Sequence, residues 1–394
     1  MPSPRRSSVK PVSCLAVSAG FRHPEIASLN VRETADKSIQ NKGVQVYSAK
    51  FSSSDRLAAA GFGDGSLRIY SVEDKRRIKT VGTESILEED LQSNAASPPP
   101  TTRGSHLSSS DLILKGSLSE AFTALRWHPG EETVLAVDSG GSALLWGGAQ
   151  QRTLERFRSP TWPAFTSCDW SCEGSWFAAA GGNPSVFIID PVKGKECCIL
   201  KTISADNMSF PPNTDQVSGH TNRVTALRSS PVNPHLLISA GWDRTVQCWD
   251  LRNGKSERKI SGIEVLGESL DVSKDGNYFV TAAQGGLERT QVRFWDLGSG
   301  QNCKNVEIPA NLSIQSLSLN AKGHILFGSG GPVGKIGLLR EGRSTLMLSE
   351  AEPNPTFTGS VWTTDFAHRS DLMLMGTSGG FLSFLKTSTN IPQI

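Results

Sequence analysis

Short apolar runs, separated by Gly, Pro, Asn and Asp, recur along most of this chain. The clearest unit extends from Val217 to Gly254. Within it Val224 to Ser229 opens on alternation, and Pro231 to Pro234 marks a turn. Leu236 to Ala240 is a second run, Gly241–Trp242–Asp243–Arg244 a second turn, and Thr245 to Asp250 a third run. In the last of these, Val246, Cys248 and Asp250 alternate against Gln247 and Trp249. Runs of this length bounded by Gly, Pro and Asn predict an antiparallel meander.

The same order of runs and turns returns at Val46 to Tyr70, Phe122 to Trp146, Phe165 to Asp190, Ser269 to Asp296, Ile314 to Leu339 and Val361 to Leu385, which makes seven units. Their third runs end at Tyr70, Trp146, Ile189, Trp249, Trp295, Leu339 and Phe384, spaced by 76, 43, 60, 46, 44 and 45 residues. Four of these six spacings match the roughly 40–45 residue period of a four-stranded propeller blade. The two long ones locate insertions, of about 30 residues within Thr80 to Leu118 and about 15 within Lys195 to Val217.

The fourth unit carries Gly219–His220, Asp243 and Trp249–Asp250, and this pattern resembles the WD-repeat β-propellers. The fifth unit keeps Trp295–Asp296, and the first keeps Asp64 with Tyr70; the sixth and seventh have lost the Trp–Asp pair. The resemblance covers residues 44 to 388 and implies an all-β, seven-bladed propeller of four-stranded antiparallel blades. It also implies that His220, Ser239, Asp243 and Trp249 form the family's buried hydrogen-bonded tetrad.

A propeller has to close its ring. After the last third run only the tail ending in Ile391–Pro392–Gln393–Ile394 remains, and proline disfavours a further central strand. An N-terminal strand from within Val12 to Val31 is therefore expected to complete the last blade and cover its edge. The domain organisation that follows is a mobile basic tail at 1–11, one propeller at 12–388 and a short tail at 389–394. The insertion about 80–118 turns rich in Ser, Pro and Thr after the acidic stretch Glu84 to Asp90, a composition that buries too little apolar area to order itself. Ser97–Pro98 and the serines near Ser108 are candidate phosphate acceptors in that loop. The insertion about 195–217 is read as a smaller loop.

Composition narrows the function. Forty Lys and Arg against 38 Asp and Glu give a net charge of +2, which argues against affinity built on neutralising many phosphates, so no nucleic acid is expected. No run approaches the ~18 apolar residues of a membrane span. Val12 to Val17 is too short and too serine-rich for a secretory signal, so a cytoplasmic or nuclear protein is expected. The seven cysteines, odd in number, agree with reduced thiols, and none of their spacings is that of a zinc site. No metal and no cofactor are expected. The glycine clusters at Gly61 to Gly65 and Gly328 to Gly334 lack the Lys–Ser/Thr of a phosphate loop. No histidine lies in a metal-binding pair or beside a nucleophile, and the reading is a non-enzyme with no catalytic residue.

Binding then decides function. In blades of the resembled family, the residue before the turn Asp and the second residue of the innermost strand reach one rim of the channel. These positions are Tyr47, Thr123, Thr166, Thr225, Gln315 and Trp362, joined by Trp242 from the turn. The aromatic members Tyr47, Trp242 and Trp362 are the candidate partner-binding rim. A second candidate surface is Trp249–Asp250–Leu251–Arg252, similar to the WDxR signature of substrate receptors on cullin-based ubiquitin ligases, with Asp250 and Arg252 docking an adaptor. The expected function is a scaffold for one or more proteins or peptides within a multiprotein complex. The alternatives are a ligase substrate receptor and a structural subunit of a cytoskeletal or ciliary assembly.

Overall fold

The computed structural model describes residues 26–28, 31–33, 39–40, 44–73, 76–81, 120–201, 219–283, 291–308, 312–331, 334–339, 346–348 and 359–387. The basic tail, the loop residues 82–118, residues 202–218 and the C-terminal tail lie outside them. Every regular element described is a β-strand. Among the described residues no helix is long and apolar enough to cross a membrane.

The strands form seven meanders. Their inner strands are Val46–Phe51, Phe122–Trp127, Phe165–Trp170, Val224–Ser229, Val265–Val272, Ile314–Leu319 and Val361–Phe366. Each pairs antiparallel with the next strand of its own meander, and six of the seven meanders run on through a third strand to a fourth. These are the blades of a propeller, numbered 1 to 7 in chain order. The ring is closed by inner-strand contacts between the last blade and the first: the Ala49 N–H donates to Thr363 Oγ1 at 3.0 Å, and the Phe51 N–H to Asp365 Oδ2 at 2.8 Å.

The small residues ending each second strand have a packing cause. A Cβ on Gly61 of blade 1 would lie 2.9 Å from Phe122 of blade 2, and one on Gly376 of blade 7 would lie 2.5 Å from Val46 of blade 1. In blades 1, 6 and 7 the second strand lets the following inner strand approach its backbone, and glycine is the residue that permits this. Between the blades lie the apolar layers: Phe122, Leu125, Trp127 and Trp146 of blade 2 pack on Ala59, Leu67 and Ile69 of blade 1, all buried.

Some boundaries differ from the sequence reading. Lys195–Leu200 is the outer strand of blade 3 and pairs with Val186–Asp190, so the second insertion starts beyond it. Arg76–Val81 is the outer strand of blade 1 and takes Thr80 out of the first insertion. The inner strand of blade 5 begins at Val265, four residues before the expected Ser269. At the last blade, Val31–Glu33 pairs antiparallel with Phe381–Thr387, and Ile39–Gln40 pairs with the same strand. Most of the expected closing segment, residues 12–25, lies outside the described residues. Ile26–Ser28 joins blade 6, parallel to Leu346–Leu348, as a fifth strand that the period did not foretell.

Candidate protein-interaction site

In six blades the pairing register slips at the second residue of the inner strand, so that residue stands out of the ladder as a bulge. These are the positions Tyr47, Thr123, Thr166, Thr225, Gln315 and Trp362. The threonines among them face the neighbouring blade. Thr123 Oγ1 donates to the Phe165 carbonyl at 2.7 Å, Thr166 Oγ1 to the Val224 carbonyl at 2.8 Å, and Thr225 Oγ1 to the Val265 carbonyl at 3.2 Å. Their hydroxyls staple blades 2 to 5 together.

The aromatic positions behave differently. Tyr47 of blade 1 and Trp362 of blade 7 stack across the seam between first and last blades, with ring centroids 4.8 Å apart and planes 24° apart. Both are half-buried, and the Tyr47 hydroxyl donates to Gln45 Oε1 at 3.0 Å. Trp242 projects from the turn of blade 4 and is 51% exposed, the most exposed aromatic ring among the described residues. The Arg223 guanidinium lies over that ring at 4.3 Å, and the Trp242 N–H donates to the Arg223 carbonyl at 2.9 Å. Arg223 went unnoticed in the sequence because it precedes the inner strand, where a lone cation looks like an ordinary loop residue.

Beneath Trp242 the expected tetrad is one hydrogen-bonded chain. His220 Nδ1 lies 3.0 Å from Asp243 Oδ2, and His220 Nε2 lies 2.6 Å from Ser239 Oγ. The Trp249 indole N–H donates to Ser239 Oγ at 2.8 Å. Burial by itself would raise the Asp243 carboxyl. Hydrogen bonds from His220, the Thr221 N–H and Thr245 outweigh it and hold the group down at about 2. The network fixes the turn on which Trp242 stands.

The channel holds a second set of residues that the sequence reading missed. The fifth inner-strand position carries Lys50, Arg126, Asp169, Arg228, Ser318 and Asp365 in six blades, with Asp271 at its counterpart in blade 5. In blade 5 the register shift between Val265 and Leu270 is longer, and it delivers Glu268 into the middle of this set. Glu268 lies 3.4 Å from Lys50 Nζ and 3.1 Å from Arg126, while Arg228 Nε donates to Asp271 at 3.0 Å. Glu268 is 7% exposed. Burial pushes its carboxyl up, but Arg126, Lys50 and Arg228 hold it down at about 2. Asp169, Asp271 and Asp365 accept the N–H of Ser229, Leu319 and Phe51, each in the next inner strand of this ring face. A charge recurring in six of the seven units inside otherwise buried strands was the signal that could have revealed this set.

Beyond the cluster the channel opens into a cavity of about 590 Å³ at the mouth away from the aromatic rim. The second candidate surface is internally engaged. Arg252 Nε and Nη2 both donate to the Asp250 carboxylate, at 2.9 Å and 2.6 Å, so the arginine is folded back on its own strand. Burial pushes the Cys168 and Cys248 thiols up, the latter to about 11, which keeps both protonated.

The family model for the WD domain, G-beta repeat, matches residues 37–71 and 212–250, ranges that take in the inner three strands of blade 1 and of blade 4. RACK1 of Drosophila melanogaster, a small ribosomal subunit protein, is 36% identical over 96 residues, 24% of this chain and 29% of RACK1. Human coronin-7 is 34% identical over 73 residues, 18% of this chain and 8% of that protein. A WD repeat-containing protein of Synechocystis is 24% identical over 201 residues, about half of each chain. The chain thus spans at most about half the length of these relatives. With two matched WD repeats, WD-repeat relatives and seven meanders around one channel, the chain carries WD repeats and is similar to the WD-repeat β-propellers.

Proposed function

We propose that this chain is a non-enzymatic scaffold that holds protein or peptide partners within a multiprotein complex, and that the rim of Tyr47, Trp242 and Trp362 is its contact surface. The observation that carries the reading is the division of labour along the rim. The threonine hydroxyls are engaged between blades, whereas the Tyr47–Trp362 pair and Trp242 leave aromatic surface uncommitted to the fold. Rigid aromatic anchors of this kind dominate interface energetics. RACK1 is named as a component of the small ribosomal subunit, so a chain with similar repeats serves in a large assembly; by analogy we place this chain in the cytoplasm in a comparable role. The ligase-receptor reading needs an available Arg252, and its bidentate pairing with Asp250 gives that reading no support.

The test is affinity purification from native extract with cross-linking mass spectrometry, comparing wild type with Trp362→Ala, Tyr47→Ala and Arg252→Ala. The expected result is a defined set of partners cross-linked near the rim and lost with Trp362→Ala or Tyr47→Ala. Retention of every partner in both variants would overturn the rim assignment. Selective loss of an adaptor with Arg252→Ala would replace the scaffold reading by the receptor one.

A further inference from the structure

The rim carries two unlike chemistries. At the seam of blades 7 and 1, Tyr47 and Trp362 satisfy each other by stacking, with a neutral Gln45 beside them. At blade 4 the exposed Trp242 has two arginines near it, one in space and one in sequence. Arg223 lies over its ring, and Arg244 follows it in the same turn, in the left-handed region at φ 60°. Among the described residues neither guanidinium forms an ion pair.

The one carboxylate between them is already engaged. Both oxygens of Asp243 contact His220, one also accepts the Thr221 N–H, and the other accepts from Thr245. Elsewhere on this face two acids are held locally: Asp64 accepts from Ser66 and Arg68, and Glu120 accepts from Ser139. The backbone of the Trp242 corner is fixed from both sides, since Arg223 O accepts the Trp242 N–H and Arg244 O accepts the Gly262 and Ile263 N–H groups. The corner is therefore a preorganised surface with two guanidinium groups that form no ion pair among the described residues and one exposed indole.

We propose that the Trp242 corner docks an acidic peptide segment of a partner protein, resting on the rim reading above. Arg223 and Arg244 take a carboxylate through charge-assisted hydrogen bonds, and an aliphatic side chain next to that acid packs on the exposed part of Trp242. The stack of Arg223 on the indole holds the guanidinium plane in place before the partner arrives, which lowers the ordering cost of binding. Charge complementarity selects this occupant: the chain as a whole is near neutral, while among the described residues neither guanidinium pairs with an acid, Glu264 before the next inner strand included.

The probe is a fluorescently labelled peptide of alternating Glu and Leu, compared with the same peptide carrying Gln for Glu, titrated against the full chain. Wild type is expected to bind the Glu peptide about tenfold more tightly than the Gln peptide, with the preference shrinking as salt is raised. The double variant Arg223→Gln, Arg244→Gln should bind both peptides alike, and Trp242→Ala should weaken both together. Thermal unfolding of each variant confirms that the blade is intact. Equal affinity of wild type for the two peptides, or a preference that survives in the double variant, overturns the proposal. A dimer in sedimentation that dissociates in the double variant would also overturn it, by naming a second copy as the occupant. If the charge preference is absent while Trp362→Ala still releases native partners, the acidic-peptide assignment falls and the rim reading stands.

Discussion

Glu268 of blade 5 and Arg126 of blade 2 come from opposite sides of the ring, yet their side chains meet at 3.1 Å in the channel. Lys50 of blade 1 approaches the same carboxylate at 3.4 Å. One side chain thus ties together blades that share no strand pairing, and the displaced segment in the inner strand of blade 5 makes the reach possible. Removing one partner from such a cluster leaves the others charged in a low-dielectric interior.

Glu268→Ala should therefore destabilise the fold by about 3 kcal/mol or more, because it strands the buried cations Lys50 and Arg126. The paired change Glu268→Met, Arg126→Met should cost less than the sum of the two single changes. Denaturant unfolding of Glu268→Ala and of the four proteins in the Met cycle checks both statements.

The carboxyls of Glu268 and Asp243 are both held at about 2, below ordinary values of 4.5 and 3.8. A depressed carboxyl contributes stability that is fully present above its ordinary value and is lost as pH falls toward the folded value. The urea midpoint should therefore drop as pH falls from about 4.5 to about 2. Glu268→Gln should flatten that fall; a slope identical to wild type would show that the channel cluster is not its source.

The buried chain under Trp242 makes its own demand on stability. Asp243→Ala removes the acceptor of His220, the Thr221 N–H and Thr245, and should cost about 1–3 kcal/mol. His220 is fully buried and would lose the carboxylate that faces its Nδ1. An unchanged melting temperature would remove the tetrad from the list of stabilising features.

Blade 2 offers the converse change. The Trp249 indole N–H reaches Ser239 and that of Trp295 reaches Thr281, but the Trp146 indole nitrogen, also buried, has no partner. The pairing registers place Ala136 where blades 4 and 5 have Ser239 and Thr281. Ala136→Ser should supply the acceptor and raise stability by about 1 kcal/mol, read as an increase in the unfolding midpoint.

How much of this was legible in the sequence follows from range. Alternation, turn residues and a repeat spacing of 43–46 residues are local signals, and they determined the strands and the seven meanders. The tetrad was legible because the family pattern places His220, Ser239, Asp243 and Trp249 within one repeat. Contacts between repeats were not. Identical sequence positions had opposite fates: Thr166 faces the Val224 carbonyl, whereas Trp362 stacks on Tyr47, 315 residues away in sequence. Which of them stays free depends on the neighbouring blade, and only closure of the ring supplies that neighbour. The same holds for Glu268, which lies just ahead of the expected fifth unit and which only the tertiary structure carries across the channel to Lys50 and Arg126. The sequence by itself determined what each blade is; ring geometry decided which polar and aromatic groups the blades consume among themselves and which they leave for a partner, because burial and pairing are set by residues far apart in the chain.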